Sequence, residues 1–129
     1  MRDEDRHFVE RVVVAAAAVV YGGIGLYVLA APDRALAAVS LPLPNDTARA
    51  DVMATYGGMC LGIGIWLGLC ARHSESVRVG LWGVCLGFGG LALGRIVALV
   101  EGLVFTPILY GFLGLELVVA TIAGGLLAS

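Results

Sequence analysis

Four long stretches almost free of charge decide what this chain can fold into. Val12–Ala31 is 20 residues without a charged side chain. At 1.5 Å per residue, a helix of that length spans the roughly 30 Å hydrocarbon core of a bilayer. Val52–Ala71, Val77–Val100 and Leu103–Ala128 repeat the pattern, with Arg95 and Glu116 the only charges well inside them. In hydrocarbon every backbone N–H and C=O must be satisfied internally, and apolar runs of this length do so as helices. The expected fold is an all-α integral membrane four-helix bundle in antiparallel up-and-down order. It forms a single transmembrane domain over residues 1–129.

Composition agrees with this reading. The chain is 60% hydrophobic, whereas soluble domains lie nearer 45–50%. Its eight cationic residues are all arginines and are scattered, so a nucleic-acid-binding surface is not expected. Arg-only usage with abundant Ala and Gly fits a GC-rich bacterial genome. Cys60, Cys70 and Cys85 lie in apolar stretches without a CxxC spacing, and read as small buried hydrophobes. His7 and His73 are far apart in the chain. Neither a metal site nor a cofactor is indicated.

The connections are short and polar. Residues 1–11 are highly charged and read as a solvated or interfacial start to the first span. A secretory apolar core is usually about 7–15 residues, shorter than Val12–Ala31. Pro32 ends that span and can start a short interfacial helix through Ala35, Leu36 and Val39. The Pro-rich run 41–45 resists helix. Asn45, Asp46 and Thr47 are N-cap candidates for the second span. Asn45-Asp46-Thr47 also matches a glycosylation sequon, relevant only in a eukaryotic secretory pathway. Arg72–Glu75 and Glu101-Gly102 make tight turns. Flanking arginines set the orientation. Arg2, Arg6, Arg11, Arg72 and Arg78 face one side, against Arg34 and Arg49 on the other. The excess places both termini in the cytoplasm, in a bacterial inner membrane.

Small residues supply helix contacts where lipid offers little hydrophobic force. Gly83, Gly87, Gly90 and Gly94 fall on one face of the third span. Gly58 and Gly62, and Gly64 and Gly68, are each four apart on the second. Such faces suit packing within the bundle or a homo-oligomer. The half of the membrane nearer the cytoplasm is expected to be almost purely Gly, Ala, Leu and Val packing.

The chemistry concentrates on Arg95 and Glu116. Each charge costs at least about 2.5–3.5 kcal/mol at a helix centre if left alone. Arg95 lies about 8 Å from the end of its span and Glu116 about 14 Å from Pro107, counting residues along each helix. Two long side chains bridge that difference in depth, so the two are expected to pair or to share a ligand. Asp51, Tyr56, Tyr27 and Tyr110 lie in the same half of the membrane and complete a candidate ligand-binding cluster. Tyr27 and Tyr110 also suit the interfacial aromatic belt.

These residues carry a resemblance. Asp51-Val52-Met53-Ala54-Thr55-Tyr56-Gly57-Gly58, then Leu91-Ala92-Leu93-Gly94-Arg95, then Leu115-Glu116-Leu117 resemble a bacterial family of small four-helix membrane proteins known only as a domain of unknown function. The likeness covers nearly all of the chain after residue 12. Met53 stands where that family often has Arg, which bears against any role needing two intramembrane arginines. The resemblance implies a fold and a membrane location, and no activity. The architecture is also similar to that of DoxX-like proteins.

Three function classes follow. The first is a protein that binds a lipid-like, quinone-like or other amphipathic ligand, or serves as an accessory subunit of a membrane complex. The second is a proton-coupled transporter or channel, with Glu116 titrating and Arg95 tuning it. The absence of inverted repeats and Pro-broken helices counts against it. The third is a membrane enzyme with Glu116 as base and Tyr56 as acid, which no nucleophile or metal constellation supports.

Overall fold

The computed structural model describes residues 2–129. It is helical almost throughout. The helices are α1 (Asp3–Ala30), α2 (Pro32–Ala37), α3 (Asp46–Val52), α4 (Cys60–Arg72), α5 (Val77–Val100) and α6 (Pro107–Ala128). A π-helical segment, Met53–Met59, joins α3 to α4, so Asp46–Arg72 runs as one continuous helical rod. Four helical segments, Asp3–Ala30, Asp46–Arg72, Ser74–Val100 and Pro107–Ala128, are long and apolar enough to cross a membrane, as expected of a multi-pass membrane protein.

Local chemistry sets the helix ends. Asp3, Glu4 and Asp5 occupy the first turn of α1, where the partial positive charge of a helix start favours carboxylates. Pro32 and Pro107 begin α2 and α6, because proline has no N–H to leave unsatisfied there. The fourth apolar run therefore becomes helical only at Pro107, four residues after Leu103. Thr106 before it is extended, at φ −67 and ψ 154, as a residue preceding proline prefers. Gly102, at φ +85, closes α5. Leu103 N–H donates to the Ala98 carbonyl and Gly102 N–H to Leu99, each at 3.0 Å. That is a Schellman ending, and its left-handed position suits glycine. α2 closes in the same way, with Leu41 N–H on Leu36 and Ser40 N–H on Ala37. There Ser40 takes the left-handed position at φ 58.

Asn45 caps α3: its Oδ1 accepts the Ala48 N–H at 2.9 Å. Asn45→Ala should lower stability by about 0.5–2 kcal/mol, read as a shifted denaturation midpoint in detergent. A wild-type midpoint would show that the cap contributes nothing.

The chain divides into two compact units. One is Ala15–Leu69, and the other joins Met1–Val14 to Cys70–Ser129. In the first, α1 meets α4 and the π-helical segment through small residues. A Cβ built on Gly64 would lie 2.5 Å from Gly22 N and 2.9 Å from the Ala18 carbonyl oxygen. One built on Gly25 would lie 2.5 Å from Leu61 N and 2.7 Å from the Gly57 carbonyl oxygen. Residue numbers rise on one helix as they fall on the other, so this pair runs in opposite directions. At the end of this unit Arg49 Nη1 bonds both oxygens of Asp33, at 2.8 and 2.6 Å, tying α3 to α2. Both side chains are exposed, so the bridge contributes about 1 kcal/mol at most.

In the second unit α5 packs against α6. Arg95 meets Glu116, Gly89 faces Ala120, and Cys85 Sγ faces Gly124. The numbers again run oppositely. The buried stripe of α5 is Val77, Gly80, Leu81, Val84, Phe88 and Ala92, spaced by three, four or one as one helical face requires. Val14 of α1 packs over Gly80, 2.7 Å from where its Cβ would stand.

Of the glycine face expected on the third span, Gly90 and Gly94 meet no close neighbour. A Cβ on Gly90 or Gly94 would find nothing within 4 Å, and the same holds for Gly62 on the second span. Spacing places glycines on one face, but it does not say which face meets a neighbour.

Candidate functional site

Arg95 extends the buried stripe of α5 by one more step, three residues after Ala92. Glu116 is one of two buried residues on α6, with Ala123 seven positions on. The two side chains form the ion pair expected from their depths. Arg95 Nε donates to both Glu116 oxygens, at 2.9 Å to Oε2 and 3.1 Å to Oε1. The carboxylate side chain is 6% exposed and the arginine side chain 25%. Phe112, one turn before Glu116, lies under the guanidinium, its ring centre 5.7 Å from Cζ. That distance suits a cation–π contact.

The way the pair is made matters chemically. A guanidinium carries five N–H donors, one on Nε and four on the two Nη atoms. Here only the Nε donor is used. Among the described residues no acceptor meets the Nη groups. Glu116 thus orients the guanidinium and leaves its amino edge uncommitted. The arginine can donate further hydrogen bonds from within an apolar helix.

The other residues of the expected cluster are placed as follows. Tyr110, in the same unit, is 48% exposed and its ring centre lies 5.5 Å from that of Phe105. Tyr27, Asp51 and Tyr56 belong to the unit Ala15–Leu69. The two tyrosines are about half exposed, and Asp51 is exposed with its carbonyl accepting the Thr55 hydroxyl at 2.8 Å. Tyr56 lies within the π-helical segment, a backbone form that recurs at functional sites.

A second buried carboxylate was not expected. Glu10, in the charged N-terminal run read as solvated, is 1% exposed. Arg6 Nε donates to its Oε1 at 3.1 Å, and His7 Nδ1 lies 3.3 Å from its Oε2. Arg6 Nη2 also donates to the Leu126 carbonyl, and Arg78 Nη2 to that of Leu127. The two arginines thus satisfy carbonyls that the last turn of α6 leaves open. This end of the unit is therefore not a purely apolar packing of Gly, Ala, Leu and Val. The signal was legible: Arg6, His7 and Glu10 stand at helical spacing, on one face of α1.

No group of three or more His, Cys, Asp or Glu side chains among the described residues is placed to hold a metal ion. Cys60 and Cys70 are buried free thiols. An open groove of about 400 Å³ lies beside α2, lined by Asp33, Ala37, Ser40, Leu41, Pro42 and Leu43. Its one charged group, Asp33, is already bound by Arg49.

Compared with known proteins, residues 9–127 match the model of a family described as a domain of unknown function, DUF4345. The match covers nearly the whole chain. The protein belongs to this family. Arg95, Glu116 and the Tyr56-Gly57-Gly58 segment all fall within the DUF4345 match. Neither the curated proteins nor the solved structures include a match.

Proposed function

We propose that this DUF4345 protein holds a lipid-like or otherwise amphipathic ligand in the membrane, through the amino edge of Arg95 as oriented by Glu116. It would lie in a bacterial inner membrane as an up-and-down bundle with both termini cytoplasmic. The excess of arginine on the flanks of the N-terminus and of the 72–78 turn supports that orientation. The observation that carries the ligand reading is the guanidinium itself. It is a quarter exposed, clamped on Nε alone, and set in a helix otherwise apolar around it. A charge there is expensive and marks function by default.

The proton-coupled alternative fares less well. Glu116 and Glu10 are the buried carboxylates of one unit. From Glu116 to the Leu126 carbonyl that Arg6 holds is about 15 Å along α6. Over that stretch Ala120 and Gly124, placed against α5, and buried Ala123 carry no group that relays a proton. The Thr121 hydroxyl is exposed and donates to the Leu117 carbonyl. A second reading, as a homo-oligomer or accessory subunit, is favoured by the open space over Gly90, Gly94, Gly111 and Gly114.

Native mass spectrometry of the protein released from membranes tests both readings, since it weighs bound ligand and oligomer together. Wild type should retain a lipid-like adduct, and Arg95→Gln should retain roughly tenfold less, the worth of one charge-assisted hydrogen bond. Equal retention would reject Arg95 as the holding group. A discrete dimer or a complex with another subunit, with no adduct, would favour the second reading.

A further inference from the structure

We infer that the acceptor taken by Arg95 is an uncharged carbonyl oxygen of an amphipathic molecule, an acylglycerol ester or a quinone, and not an anionic head group. This rests on the ligand reading above and narrows it. Two independent observations carry it.

The first is charge. Glu116 already neutralises the guanidinium through Nε, at 2.9 and 3.1 Å. An anion on the Nη edge would sit about 4 Å from the cation centre and about 6 Å from the carboxylate. Coulomb energy falls as 1/r, so repulsion from Glu116 offsets about two-thirds of the attraction. The anion would also give up its hydration on entering hydrocarbon. An uncharged carbonyl oxygen accepts the same N–H groups with a far smaller desolvation cost and no net charge for Glu116 to repel.

The second is depth. Arg95 stands five residues before Val100, about 8 Å from the end of α5. A helix of 24 residues is about 36 Å long and overhangs a 30 Å core by about 3 Å at each end. With α5 centred on the core, its backbone at Arg95 would lie about 5 Å inside the hydrocarbon boundary. An ester carbonyl or a quinone ring reaches that level with its apolar body still in lipid. A phosphate would have to be drawn inward. The Phe112 ring under the guanidinium keeps one side of it apolar.

The test uses the full chain in a sugar-based detergent, which supplies no competing ester. Dioctanoylglycerol, decyl-ubiquinone and hexadecyl phosphate are titrated separately by native mass spectrometry against wild type, Glu116→Gln and Arg95→Gln. Circular dichroism verifies that each variant is helical. Glu116→Gln keeps an acceptor oxygen for Nε and removes the negative charge. Wild type should bind one or both neutral probes at least about tenfold more tightly than the alkyl phosphate, and which neutral probe binds identifies the source. Glu116→Gln should bring the alkyl phosphate up by about tenfold, and Arg95→Gln should weaken the neutral probes. A wild type that prefers the alkyl phosphate, with the preference lost in Arg95→Gln, would overturn this inference and leave the ligand reading intact. So would an alkyl phosphate affinity that Glu116→Gln does not raise. Binding of no probe to wild type, or equal binding to Arg95→Gln, would sink both.

Discussion

Glu116→Ala should destabilise the protein by about 3–5 kcal/mol, the usual result of removing one partner from a buried ion pair. The carboxylate it removes is 6% exposed and accepts the Nε donor of Arg95. What remains is a cation in apolar surroundings with no acceptor. Arg95 is a quarter exposed and near a helix end, so its long stem can turn the charge toward the interface. That places the loss nearer the lower figure. The double variant Arg95→Leu/Glu116→Leu should recover most of it, because apolar residues of similar volume replace such pairs with little loss. Denaturation in mixed micelles, followed by helicity across the two single variants and the double, measures the coupling. If the losses of the single variants simply add, the pair does not couple.

Gly64→Leu should disrupt the unit Ala15–Leu69 outright, and Gly64→Ala alone should cost more than about 1–3 kcal/mol, the usual range for overpacking. The atoms a Cβ would strike are Gly22 N and Cα and the Ala18 carbonyl oxygen, at 2.5 to 2.9 Å. These are backbone atoms, and no rotamer change moves them aside. Helix α1 would have to retreat, losing the close contact that drives association in lipid. Gly62→Ala, two residues earlier, meets nothing within 4 Å. It should be neutral, or stabilising by up to about 1 kcal/mol from helix propensity. Fragmentation by a protease in detergent would separate the variants. Equal resistance of Gly64→Leu and Gly62→Ala would show that α1 and α4 do not meet at these glycines.

The four apolar helices were legible from length and hydropathy, because a bilayer imposes one thickness on every crossing. The Arg95–Glu116 pair was legible too, since consecutive helices running oppositely bring charges of similar depth together. Pro32 and Asn45 marked helix starts through properties of their own. The packing faces were harder. Four-residue spacing picks out Gly64, which is pressed against the α1 backbone, but it groups Gly90 with Gly94 just as readily, and these meet nothing, while Gly25, pressed against Leu61 and Gly57, has no glycine four residues away. In an apolar segment both lipid and protein faces are hydrophobic, so no polarity contrast tells them apart. The π-helical segment at Met53–Met59 is a shift in hydrogen-bond register, which composition does not record. Glu10 was missed because a run of charges resembles a solvated tail. Its carboxylate is met by His7 and Arg6, three and four residues earlier, and Arg6 in turn reaches the Leu126 carbonyl near the far end of the chain.

The central claim is that a guanidinium inside the span is held on one edge and free on the other. Solid-state NMR of the protein in lipid bilayers, with labelled arginine side-chain nitrogen and glutamate carboxyl carbon, tests it most directly. The expected spectrum shows strong dipolar coupling between Arg95 Nε and the Glu116 carboxyl carbon. The Nε proton should exchange slowly with water, and the Nη resonances alone should shift when an acceptor lipid is added. No coupling between Arg95 and Glu116, or Nη resonances that are already rigid and unmoved by any lipid, would contradict it.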